Sequence, residues 1–164
     1  MAIDSMAALW FLPFVLPICF YVCFTDLSQM RITNQAVVAL AVIFLLVGLI
    51  ALPLPVYGMR LLQMLGVLVV GFVLASAGGM GAGDAKFAAA AAPFIAPDDL
   101  RLLLVLFSAN LLAAFATHRL VKYTPLRRIA PDWKSWSSGR KFPMGLSLGT
   151  TLGLYLILGA AFGA

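Results

Sequence analysis

Every acid in this chain is an aspartate: Asp4, Asp26, Asp84, Asp98, Asp99 and Asp132, with no glutamate. Two of them stand where a carboxylate is hard to explain. Asp26 closes an uncharged run from Ser5 to Thr25. It falls at the C-terminal end of an expected helix, where the dipole disfavours an anion. Asp84 closes the segment Gly78-Gly79-Met80-Gly81-Ala82-Gly83, just before another apolar stretch. Glycines there permit sharp, close backbone geometry, and Asp84 is expected to cap the helix that follows. Two carboxylates brought to one water can do aspartic proteolysis. One, ionised, activates the water; the other, protonated, polarises the scissile carbonyl. On helix dipoles alone, Asp84 is expected to be the ionised partner and Asp26 the protonated one. A structural account stands beside this one: Asp26 pairs with Arg31 or starts a turn, and Asp84 caps a helix with Lys86 as local partner.

The other aspartates have simpler readings. Asp4 is terminal, Asp98 and Asp99 open a helix after Pro97, and Asp132 sits among basic residues. Cys19 and Cys23 are four residues apart, on one helix face. They are read as small hydrophobes. His118, the single histidine, has no histidine partner for a metal and suits a helix C-terminus. With one His and no Glu, a metal site is poorly provided for, and no cofactor is expected.

These residues need elements to hold them. The 164-residue chain is 63% hydrophobic and only 10% charged, with a mean hydropathy of +1.06. A soluble domain carries about 25% charged residues, so a soluble enzyme, a disordered chain and a coiled coil are excluded. The expectation is an all-α, polytopic membrane protein forming a single domain over residues 1–164. Six membrane helices are predicted, near 7–25, 34–53, 60–78, 84–97, 99–119 and 143–162. The fourth is short: Ala85 to Ala96 makes about 18 Å of helix, against a hydrocarbon layer of about 30 Å. Asp84 therefore belongs below the near surface, where acids are usually functional.

Orientation follows the basic residues. Arg119, Lys122, Arg127, Arg128, Lys134, Arg140 and Lys141 crowd into residues 119–141 against Asp132 alone. That segment is expected to be a cytoplasmic loop resting on anionic lipid, with Tyr123, Trp133 and Trp136 at the interface. Flanking membrane helices argue against nucleic acid. Counting back places the N-terminus outside and both Asp26 and Asp84 on the cytoplasmic side.

At these residues the sequence resembles the type IV prepilin peptidases, membrane aspartic proteases with a Gly-x-Gly-Asp motif. The similarity is to their short form, associated with Tad/Flp pilus assembly. The first block is Thr25-Asp26-Leu27-Ser28-Gln29-Met30-Arg31-Ile32-Thr33-Asn34, and the second is Gly81-Ala82-Gly83-Asp84-Ala85-Lys86. A weaker third block is Pro143-Met144-Gly145-Leu146-Ser147. The resemblance implies Asp26 and Asp84 as the catalytic pair, with Gly81, Gly83, Lys86, Arg31 and Asn34 as motif support. It also implies a prepilin substrate, cut at the cytoplasmic face of the bacterial inner membrane. Thr33 stands where the family usually has proline, and Asn34 is expected to cap the second helix. The zinc-binding insertion of longer members is missing, so their N-methylation of the product is not carried over. The alternative from another class is a non-enzymatic assembly or transport component with structural aspartates.

Overall fold

The computed structural model describes residues 1–138 and 142–164; Arg140 and Lys141 of the basic segment lie outside the described residues. Among these, helix is the only regular secondary structure. Its α-helices are α1 (Ser5–Gln29), α2 (Asn34–Ala51), α3 (Leu54–Ser76), α4 (Ala82–Ala91), α5 (Leu100–Lys122) and α6 (Met144–Phe162). All except α4 are long and apolar enough to cross a membrane. The protein is thus an all-helical, multi-pass membrane protein.

Local chemistry sets the boundaries. Asp4 caps α1, its carboxylate accepting from the Met6 and Ala7 amides. The helix ends where Met30 turns left-handed, at φ 57°, and donates its N–H to the Asp26 carbonyl. Thr33, not Asn34, caps α2 by accepting from the Ala36 amide. The fourth element differs most from expectation. It is a ten-residue helix followed by short 3-10 turns at Ala92–Phe94 and Pro97–Asp99, not one helix to residue 97. Pro93 is the reason, since it lacks an amide donor and its ring clashes with the preceding turn. At about 15 Å, α4 reaches only part of the way through the hydrocarbon. It is buried nearly all round, with Ala85, Phe87, Ala89, Ala90 and Ala91 enclosed, chiefly by α3, α2 and α6.

The tightest pairing joins α1 to α6. Gly145, Gly149 and Gly153 repeat every four residues and form one face of α6, the small-residue pattern that lets helices approach. A Cβ on Gly149 would lie 2.9 Å from the Cys19 carbonyl oxygen and 2.9 Å from the Cys23 sulfur. One on Gly153 would lie 3.2 Å from Leu16. Residues 16, 19, 23 and 26 of α1 thus meet this face in register. Elsewhere the core is aromatic: Phe94 meets Phe11 and Phe44 edge-on at 4.9 and 5.3 Å, and Tyr57 stacks on Phe44 at 5.5 Å.

Asp99 does more than open α5. It is buried, accepting from the Ala2 and Ile3 amides and from the Tyr155 hydroxyl at 2.8 Å. The same hydroxyl accepts from the Ala96 amide. One carboxylate so ties the N-terminal segment, the α4–α5 connection and α6 together. In the basic segment, Trp133 packs edge-on against Phe24, and Trp136 is buried against His118 with ring centroids 5.0 Å apart. His118 is buried between Trp136 and Phe142; of the three rings expected at the interface, Trp136 is buried inside the protein and Tyr123 is exposed.

Candidate active site

The end of α1 and the start of α4 meet at one cavity of ≈ 510 Å³. Asp26, Arg31, Gly81, Gly83 and Asp84 line it, joined by Met30, Ile32, Phe142 and Met144. Five of the seven residues singled out in the sequence are therefore brought together. Lys86 and Asn34 are not among the lining residues. Lys86 Nζ donates to Asn34 Oδ1 at 3.2 Å, tying α4 to the start of α2. Arg31 Nε donates to Gln29 at 2.9 Å. Among the described residues, the Arg31 and Lys86 side chains thus bond to Gln29 and Asn34 and not to the aspartates that a structural account would pair them with.

Each carboxylate is held by its own device. Asp26, three residues before the end of α1, is 5% exposed. Its Oδ2 accepts from the Gly145 amide at 2.5 Å. That amide belongs to the first turn of α6, where N–H groups have no partner within the helix and favour negative charge. Position along α1 alone suggested a hostile dipole; the neighbouring helix reverses the local field. A Cβ at Gly145 would stand 2.9 Å from that same oxygen, so glycine is what lets the amide reach.

Asp84 occupies the first turn of α4, and Gly81 rather than Asp84 is the capping residue. The Asp84 side chain curls back over Gly81, where a Cβ would stand 2.5 Å from its Oδ2. A Cβ at Gly83 would meet only Ile32, at 3.5 Å. The first motif glycine thus makes room for the carboxylate itself, and the second lies against the α1–α2 turn. The two aspartates are near enough for the charge of Asp26 to act on Asp84. A buried carboxyl and a half-buried one facing a single cavity can share a proton and polarise a water between them.

Gly145 appeared in the sequence only within the weaker third block. Nothing there distinguished it as a partner of Asp26, although the spacing Gly145, Gly149, Gly153 was a legible packing signal. Cys23 is a further neighbour, its thiol 3.5 Å from the Leu146 carbonyl.

Comparison with known families gives a match to the type IV leader peptidase family over residues 13–117. The matched stretch runs from α1 through most of α5 and includes both aspartates; α6 and Gly145 fall beyond it. No curated protein and no solved structure gives a match. With more than half of its length matched, including both halves of the carboxylate pair, the chain belongs to the type IV leader peptidase family.

Proposed function

We propose that the protein is an aspartic endopeptidase that removes the leader from Flp-like type IV prepilins at the cytoplasmic face of the bacterial inner membrane. The observation that carries this reading is the shared cavity: Asp26 and Asp84, remote in sequence, line it together with the motif glycines. Family membership supports peptidase chemistry and a prepilin substrate. The basic segment 119–141 supports a cytoplasmic position for that end of the bundle and an exterior N-terminus, by the excess of Lys and Arg.

In this mechanism Asp26 is the base. The Gly145 amide stabilises its anionic form, while Asp84, held by no amide among the described residues, carries the shared proton. Water between them loses a proton to Asp26 and adds to the scissile carbonyl carbon, while Asp84 donates its proton to the carbonyl oxygen. The C–N bond then breaks as Asp26 passes its proton to the leaving amine. The oxygen-bound proton returns to Asp84 as the new carboxyl product forms, and both acids are restored. No metal takes part.

The test is a cleavage gel with a co-expressed Flp-type prepilin. Asp26→Asn and Asp84→Asn are each expected to stay folded and to lose processing by roughly 10²–10⁴-fold or more, with chelators leaving the parent unaffected. Processing that survives in both folded variants would overturn the proposal.

A further inference from the structure

A second cavity, ≈ 280 Å³, lies between α1, α5 and α6. Gly149 and Gly153 of α6 line it, with Phe20 of α1 and Asn110 of α5 on its flanks and Leu154 and Ile157 farther along α6. α5 leans on α6 rather than on α1. The Asn110 amide fastens it there, donating to the Ser147 carbonyl at 3.1 Å and to Thr151 Oγ1 at 2.9 Å. A lateral gap is left between α1 and α5. Phe20 is 72% exposed and Ile157 45% exposed beside that gap.

Its position relative to the carboxylates is the informative feature. On α1 the lining begins at Cys23, one turn from Asp26, and ends at Leu16, about 15 Å away along the helix. On α6 it begins at Gly149, one turn from Gly145, and ends at Ile157, about 18 Å away. Both helices thus flank the catalytic cavity at one end and this groove about one turn farther along. The two cavities are neighbours rather than one space: between them α1 touches α6, the Cys23 thiol lying 3.5 Å from the Leu146 carbonyl beside the amide that holds Asp26.

Resting on the peptidase reading above, we infer that this groove seats the apolar helix that follows the scissile bond of the substrate. The polypeptide cut between Asp26 and Asp84 must continue on the far side of the bond. If the leader lies in water at the cytoplasmic end, the apolar part can continue only toward the hydrocarbon. The groove offers that direction, about two to three helical turns long, walled by apolar side chains and open to lipid so that a membrane-embedded helix can enter sideways. A lipid acyl chain fits the apolar walls equally but gives no reason for the groove to lie within one turn of Asp26 and Gly145.

The experiment places a photo-reactive phenylalanine analogue at Phe20, at Ile157 or, as a control, at Val69, an exposed residue of α3. The proteins carry Asp84→Asn and are reconstituted in vesicles with a Flp-type prepilin comprising leader and apolar helix. Adducts from positions 20 and 157 to the prepilin helix, with none from 69, are expected. In the active enzyme, Ile157→Trp is expected to raise KM for that prepilin about tenfold while kcat changes much less, corresponding to about 1.4 kcal/mol of lost binding. If the parent cuts the prepilin but positions 20 and 157 capture only lipid, or no more prepilin than position 69, the groove assignment is wrong and the peptidase reading stands. A parent that cuts no prepilin overturns both.

Discussion

Two glycines decide how the aspartates are presented. At Gly81, an added methyl group would occupy the space of the Asp84 carboxyl. Because that carboxyl is the far end of a flexible side chain, it can rotate away, at little cost to folding. Gly81→Ala is therefore expected to lower kcat by at least about tenfold while thermal unfolding in detergent stays within a few degrees of the parent. A variant with unchanged kcat would show that the Asp84 orientation is immaterial. The pair should also titrate as a unit. A bell-shaped dependence of kcat/KM on pH is expected, falling in acid as the base becomes protonated and in alkali as the shared proton is lost. A profile flat across the carboxyl range would count against two working acids.

Among the elements, the α1–α6 pairing matters most, because it delivers a backbone amide to Asp26. Its register depends on Gly149, whose absent side chain leaves room for the Cys19 carbonyl and the Cys23 thiol. A backbone carbonyl cannot rotate aside as a carboxyl can. Gly149→Ala should push the helices apart, destabilising the fold by about 1–3 kcal/mol, as overpacking does. Activity should fall with it, through loss of the Gly145 contact. Thermal unfolding and cleavage rate measured on one preparation test the coupling; a stable but inactive protein, or an active but unstable one, would break it. α4 illustrates a different lesson. Its shortness was visible in the sequence. Its early end at Ala91 and the 3-10 turns beyond follow from Pro93 once neighbouring helices bury the segment. Thr33 likewise took the capping role expected of Asn34, whose side chain instead accepts from Lys86.

Across the whole molecule, a polar cluster at the end remote from the dyad holds elements from both ends of the chain. Tyr155, ten residues beyond Gly145 on α6, donates to Asp99, and the guanidinium of Arg60 is buried within range of the charges of Asp98 and Asp99. Tyr155→Phe removes a buried hydrogen bond to a carboxylate, which typically costs about 1.5–3 kcal/mol. A lowered unfolding temperature is expected, with kcat near that of the parent at temperatures where the variant remains folded. Loss of activity without loss of stability would mean that the two ends communicate in a way the packing does not suggest.

Composition alone determined the solvent and the helical class, because a chain with so few charges can satisfy its backbone in lipid only by local hydrogen bonds or a closed barrel, and its long apolar runs have helix length. The lone acids at the ends of such runs, with the glycine motif, pointed to the candidate pair and to the family. Tertiary structure decided what surrounds them. The Gly145 amide reaches Asp26 from 119 residues away, the Asp99 carboxylate turned from a helix opener into a clasp, and Lys86 turned toward α2. Each depends on which helices touch and in what register. Hydropathy carries almost none of that information, since every lipid-facing apolar surface looks alike until small residues and stray polar groups select a partner.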